Sequence, residues 1–225
     1  MNDQNNVIVF CKYPVEGKVK TRIANTMGNE FAVKLYKIFA EHTFQELLKT
    51  DSVFPYLFFK GKEDRGKIED WTGREFLLET QEGDDLGERM YNAFKKVIDR
   101  GSAKTIIVGT DIPDVSSDII RKAFQALDNS DIVIGPSNDG GYYLLGMKKL
   151  YKGLFSGIEW SGNSVLSATL DKINSLNLSY SILPELIDID TEDDLKKWLA
   201  KYSDENTYSI KATIRSLLLT HLEMK

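Results

Sequence analysis

Short apolar runs rich in β-branched and aromatic residues alternate along this chain with longer stretches in which apolar residues return every three or four positions. Strands and amphipathic helices leave these two signatures, and their alternation predicts an α/β fold with a mainly parallel sheet. Residues 6–12 (NVIVFCK) read as a first strand. A loop bearing glycine and lysine follows, then a helix over 29–49 with Phe31, Leu35, Ile38, Phe39 and His42 on one face. Residues 53–60 and 75–80 read as further strands, the first placed near a sheet edge by Pro55. A helix over 86–100 turns Met90, Phe94, Val97 and Ile98 to one side. Residues 104–110 (KTIIVGT) form the cleanest strand, and Ser116 or Ser117 caps the helix that runs on to Leu127. Strands over 131–136 and 141–149 and a helix over 163–174 come next. The stretch 178–191, a helix after Thr191 and a last amphipathic helix close the chain, the last with Ile210, Ile214, Leu217, Leu218 and His221 in a stripe.

No solenoid period, low-complexity tract or Pro/Ser-rich linker interrupts the 225 residues. The expected organisation is one domain over 1–203, with the helix of 204–225 packed on it as a lid or a dimer contact. Basic residues number 29 against 34 acidic, a net charge of −5, which argues against coating nucleic acid. One cysteine and two histidines cannot build a Cys/His zinc cluster, so any metal would be a hard, oxygen-bound ion such as magnesium or manganese. No apolar run approaches the ~20 residues that span a bilayer, and the N-terminus lacks an export pattern, so the expected location is the cytoplasm.

In parallel sheets ligands bind beyond the carboxyl ends of the strands. Residues 12–22 (KYPVEGKVKTR) follow the first strand and gather Lys12, Lys18, Lys20 and Arg22 around Gly17. Such a loop suits a di- or triphosphate, against the plainer reading of a solvated basic loop, and its spacing is not that of a Walker A motif. Asp111, directly after the strand in VGTDIPD, either binds a divalent cation or caps the next turn. Asp188 and Asp190, two apart on an apparently extended segment, point the same way, and like charges so placed invite a cation, although the segment also reads as a helix cap at Thr191. Asp139 precedes Gly140 and Gly141, a pair that either admits a ligand to the backbone or makes a hairpin turn. Gln81 reads a base edge or sugar, or is simply an exposed loop residue, and Trp160 stacks on a substrate ring or packs in the core. His42 and His221, on apolar faces, read as structural, and Cys11 lacks a histidine partner for nucleophilic work.

Six segments in order, VFCKYPVEGKVKTRIA, QEGDDLGERMYNAF, VGTDIPD, GPSNDGGYYLLG, IEWSGNSVLSATL and DIDTEDDL, resemble a bacterial family of GT-A-like glycosyltransferases, DUF2064 in type, within the nucleotide-diphospho-sugar transferase superfamily. The resemblance runs from about Val7 to Leu199. It implies a single GT-A-like (Rossmann-like) domain, a mainly parallel mixed sheet flanked by helices. It also implies a nucleotide over the basic loop, with Lys12, Gly17, Lys18, Lys20, Thr21, Arg22 and Gln81 around it. Mg²⁺ or Mn²⁺ would sit on Asp111 with Asp188 or Asp190, Asp139 would orient the acceptor or act as base, and Gly140, Gly141, Tyr142 and Trp160 would meet the acceptor. The SGNS run after Trp160 departs from the family's Ser-Thr pair. More distantly, the pattern is similar to guanylyltransferases that activate phospholactate or phosphoenolpyruvate. The expected donor is therefore a nucleotide sugar, with a nucleoside triphosphate as the alternative, and the acceptor a small molecule. Sugar transfer is favoured because no second basic cluster stands out to receive a phosphorylated acceptor.

Overall fold

The computed structural model describes residues 5–61, 65–160, 162–201 and 208–223. Seven strands form one sheet: β1 (Asn5–Cys11), β2 (Val53–Phe59), β3 (Leu77–Thr80), β4 (Lys104–Val108), β5 (Ile132–Pro136), β6 (Tyr142–Met147) and β7 (Tyr180–Ile182). Their order is β3-β2-β1-β4-β6-β5-β7, parallel except for β6, which runs against both β4 and β5. The mixed α/β sheet expected from the alternating pattern is therefore present.

Successive residues along each strand carry their side chains to opposite faces, and helices cover both. Val7, Val9 and Cys11 of β1 face α2 (Asn29–Leu48), α3 (Arg65–Thr72) and α5 (Ser117–Asn129). Ile8 faces α4 (Leu86–Ile98), a short 3-10 turn (Lys152–Phe155) and α6 (Val165–Ser175). A third apolar cluster joins α1 (Thr21–Met27), α2, α7 (Glu192–Lys201) and α8 (Tyr208–Glu223) around the fully buried Trp198 and Phe39. The terminal stripe is real: Ile210 and Ile214 are buried there, and the His221 ring lies 4.9 Å from Phe31. The expected boundary at residue 203 lies outside the described residues.

Helix starts follow their caps. The Ser116 side chain accepts from Ile119 N, and Asp85 accepts from Glu88 N while Glu88 reaches back to Asp84 N, a reciprocal box at the start of α4. Strand β2 lies next to the edge strand β3, near an edge as expected from Pro55, and β3 pairs with it only from Tyr56 onward, so Pro55 sits where that side of β2 has no neighbour. Two expectations need correction. Helices α1 and α3 were absent from the sequence reading, because neither short segment carries a sustained apolar period. Asp188 and Asp190 lie in irregular backbone rather than in a strand.

Candidate active site

Strand order reverses at β1 and β4: from this pair the chain goes out to β2 and β3 on one side and to β6, β5 and β7 on the other. The loops leaving their carboxyl ends must diverge, and a cleft of about 730 Å³ opens between them. It gathers Lys12, Lys20, Arg22, Gln81, Asp111, Asp139, Gly141, Tyr142, Trp160, Asp188 and Asp190 from seven stretches of sequence. Gly17, Lys18, Thr21 and Gly140 do not line it. Gly17, at φ 71°, turns the loop, and Lys18 is exposed outside the cleft. Gly140 has a different role from the one expected. A Cβ there would lie 2.0 Å from the Asn163 carbonyl oxygen, so this glycine admits a neighbouring loop, not a ligand.

The loops are fastened from below. Tyr36 of α2 accepts from Lys12 N at 2.8 Å and from the Thr110 hydroxyl at 3.2 Å, and donates to the Lys12 carbonyl at 3.2 Å. One phenol thus ties the exits of β1 and β4 together. Burial first, then the nearby Cys11 and Asp111, holds its ionisation well above the usual range, so it acts as a neutral hydrogen-bonding post. Trp198 Nε1 donates to Asp114 at 2.9 Å and steadies the loop carrying Asp111. Asn138 Oδ1 accepts from Asp188 N at 2.8 Å, tying residues 187–190 to the β5–β6 turn.

These ties bring three carboxylates onto one ammonium. Lys20 Nζ is 2.6 Å from Asp111, 3.1 Å from Asp190 and 3.8 Å from Asp188, and its side chain is 1% exposed. Desolvation alone would lower the Lys20 ionisation, but Asp111, Asp188 and Asp190 raise it above its ordinary value, so it stays charged. For Asp188, burial leads and the repulsion of Asp111, Asp190 and Asp139 adds to it, outweighing Lys20 and pushing its carboxyl up to about 7. Asp188 Oδ1 is buried and has no hydrogen bond, only the ammonium 3.8 Å away. The sequence reading aimed Lys20 at phosphate; here it faces the carboxylates, because its backbone turns into the left-handed region at φ 43°. Arg22, also 3.6 Å from Asp190, and Lys12 remain exposed.

The far wall is apolar and polar by turns. A Cβ at Gly87 would meet Trp160 Nε1 at 2.2 Å, so a glycine at the start of α4 is what lets the indole lie against that helix. Trp160 also packs beside the second core cluster, which makes it both wall and core. Gln81 Nε2 donates to the carbonyls of Phe58 and Cys11, bridging strand ends rather than hanging in solvent. Asp139 Oδ1 accepts from the Ser137 hydroxyl at 2.5 Å and from Gly141 N at 3.0 Å, which fixes its carboxylate at the cleft. Burial holds the Cys11 thiol far above its ordinary value, in line with the absence of a nucleophilic role.

Among the lining residues that escaped the sequence reading are Tyr36, Lys60 and Arg89. Lys60 directly follows β2 and was open to the same rule that found Asp111. Arg89 and Tyr36 lie within helices and carry no local signal. Arg89 is held by the carbonyls of Gly83 and Asp84. Lys60 and Arg89 add two cations to the cleft beyond the basic loop. Ser161, part of the SGNS departure, lies outside the described residues. Ser164 takes the N-cap position of α6 without a side-chain cap bond.

A family model described as an uncharacterized protein conserved in bacteria, DUF2064, matches residues 43–162, more than half of the chain. The chain belongs to this family. Its DUF2064 fold is also that of a solved Desulfovibrio desulfuricans G20 protein, designated provisionally a nucleotide-diphospho-sugar transferase. The two are 32% identical with a TM-score of 0.88, over 96% of this chain and 97% of that one. The inositol-1-phosphate CTP transferase of T. maritima superposes at TM-score 0.54 and 14% identity, over 95% of this chain and 97% of that one. A Mycobacterium tuberculosis protein in complex with manganese does so at 0.55 and 13%, over 88% and 100%. These two share the fold with the DUF2064 chain. No curated protein matches it. Among the described residues no helix is long and apolar enough to cross a membrane.

Proposed function

We propose that this protein is a transferase that draws on a nucleotide-activated donor with the help of a divalent cation, and that it moves a glycosyl group from a nucleotide-diphospho-sugar to a small acceptor in the cytoplasm. The observation that carries this reading is the meeting of Asp111, Asp188 and Asp190 with Lys12, Lys20 and Arg22 in one cleft at the switch point of the sheet. The donor set fits a hard cation such as Mg²⁺ or Mn²⁺, since it is all carboxylate oxygen and one buried oxygen, Asp188 Oδ1, lacks a hydrogen bond. As the side chains stand, no group of three or more such residues among those described is arranged to hold a metal. Lys20 Nζ lies where the three carboxylates converge.

Held by Asp111, Asp188 and Asp190, such a cation would supply positive charge to the leaving nucleoside diphosphate. Lys12 and Arg22, exposed at the cleft, bind and orient the phosphates by charge-assisted hydrogen bonds. Asp139, held by Ser137 and Gly141, sits to orient an acceptor hydroxyl and take its proton. Trp160 offers an aromatic wall for a sugar or acceptor ring, and Gln81 Oε1 remains as an acceptor for the donor's base or ribose, since its amide nitrogen is taken up by two carbonyls. The relative from D. desulfuricans supports sugar transfer over the alternatives.

One observation favours a second reading, nucleotidyl transfer from a nucleoside triphosphate to a phosphorylated acceptor. Lys60 and Arg89 line the same cleft, and a phosphate dianion calls for such a pair. A thermal-shift panel of nucleotide sugars and triphosphates, with and without Mn²⁺, finds the donor, since a native-state ligand raises the melting temperature. Product analysis then decides. Release of nucleoside diphosphate from a nucleotide sugar is expected; acceptor-dependent pyrophosphate release from a triphosphate, with no nucleotide sugar consumed, would establish the second reading.

A further inference from the structure

The geometry points to Lys20 as an internal counter-ion that holds the cation's place in the resting cleft and withdraws from the three carboxylates before they can hold a divalent metal. This inference rests on the metal-dependent reading above.

Asp111, Asp188 and Asp190 come from two loops almost eighty residues apart, yet all three aim at one nitrogen. Three carboxylates against Lys20, with Arg22 reaching only the outer oxygen of Asp190, leave a formal excess of one negative charge, 3 − 2 = 1, and of two within reach of Lys20 alone. Lys20 therefore neutralises the cluster only in part. It serves Asp188 worst, at 3.8 Å and without a hydrogen bond. A divalent cation bound by the same three Oδ1 atoms at roughly 2.0–2.6 Å would have to sit where they converge, and that point is held by Lys20 Nζ. For the three to bind metal together through these oxygens, Lys20 has to move.

The backbone is built for departure. Lys20 is one of three non-glycine residues with positive φ among those described, at φ 43° and ψ 46°, in a conformation that L-residues seldom adopt. It stands at the start of α1 without a side-chain cap, and its side chain is held inward by the three ion pairs, with the Phe39 ring 6.0 Å from Nζ. Once the ion pairs break, most of that hold is lost. A four-carbon stem at this position then reaches the cleft beside Lys12 and Arg22, which adds a third cation for the donor's phosphates. Lys20 thereby couples the two events: the phosphate site is complete only when the carboxylates have exchanged one cation for another.

The test is amine-reactive labelling of the wild-type protein, read by mass spectrometry at Lys20 with Lys34 as the surface reference, with Mn²⁺ alone as the probe. Lys20 labelling is expected to rise at least fivefold at saturating Mn²⁺ while Lys34 stays constant. In parallel, Lys20→Met should bind Mn²⁺ at least tenfold tighter than wild type in a paramagnetic-resonance titration. Arg22→Met, which removes the same charge from beside Asp190 without vacating the cluster, should shift it less than threefold. The labelling arm uses the natural chain and does not depend on the variant folding. Lys20 still shielded at saturating Mn²⁺, or equal gains from the two variants, would overturn the placeholder role and leave the metal-dependent reading standing. Absence of Mn²⁺ binding by both wild type and Lys20→Met would remove that reading and the placeholder with it.

Discussion

Two clusters of opposite charge can be set side by side in this molecule. At the β3 edge, Glu79 is 15% exposed and meets Lys96 at 2.5 Å and Arg100 at 2.6 Å, both from α4. In the cleft, Lys20 meets Asp111, Asp188 and Asp190. Each places one charge among several of the other sign, but the outcomes differ. Burial alone would raise the Glu79 carboxyl, yet hydrogen bonds from Lys96 and Arg100 hold it below its usual range. Asp188 goes the other way, up to about 7, because burial and three like charges outweigh a distant ammonium. The edge cluster is satisfied and the cleft cluster is not. Unsatisfied charge in a concave site is the sign of a ligand to come, whereas satisfied charge at an edge is structure.

The strongest test of this contrast is Asp111→Ala. Asp111 is 46% exposed, so the fold should survive, while metal-dependent nucleotide binding should fall by roughly a hundredfold or more, the scale of a charge contact of several kcal/mol. Calorimetric titration of Mn²⁺ with nucleotide measures it, and unchanged affinity would take Asp111 out of the site. Arg22→Ala comes next. Its exposed guanidinium should matter about tenfold for a nucleoside diphosphate and little for the nucleoside, since only the former offers phosphates. An equal loss for both would assign Arg22 to the fold.

The pH dependence should have opposite signs in the two clusters. Between about 4 and 7 native Asp188 holds a proton that the unfolded chain has released, so stability falls as pH rises through that window. Melting curves in chelator from pH 5 to 8 should therefore slope less steeply for Asp188→Asn than for wild type. Glu79, lowered on folding, contributes stability above its unfolded value of 4.5 and loses it as pH falls below. The smallest effect belongs to Glu79→Gln. It should cost about 1 kcal/mol at neutral pH, given its half-exposed partners, and leave nucleotide binding unchanged. A binding defect there would dissolve the distinction.

Much of the cleft was legible because position after a strand is a local property. Asp111 follows β4 and Lys12 follows β1, so both fell to one rule, as Lys60 could have. Asp188 and Asp190 were recognised by their spacing, although irregular backbone, not a strand, turns them together. Gly140 and Gly141 lie in the hairpin turn between β5 and β6, the plainer of their two readings, and the neighbour that comes close to Gly140 is the loop at Asn163. Tyr36 was invisible as a site residue, since a helical tyrosine looks like core until the loops at Lys12 and Thr110 are seen to close on it.

The types and order of the long elements, though not of the short helices α1 and α3, were determined by the sequence alone, because apolar periodicity and caps such as Asp85 and Ser116 act within a few residues. The tertiary structure decided the rest: that β1 lies beside β4, that β6 runs against its neighbours, and that Lys20 turns from the phosphates toward carboxylates 91, 168 and 170 residues away, as 111 − 20, 188 − 20 and 190 − 20 show. Pairings at that separation carry no local signature. They depend on strand order and on which charges can be desolvated together, and both exist only once the sheet has formed.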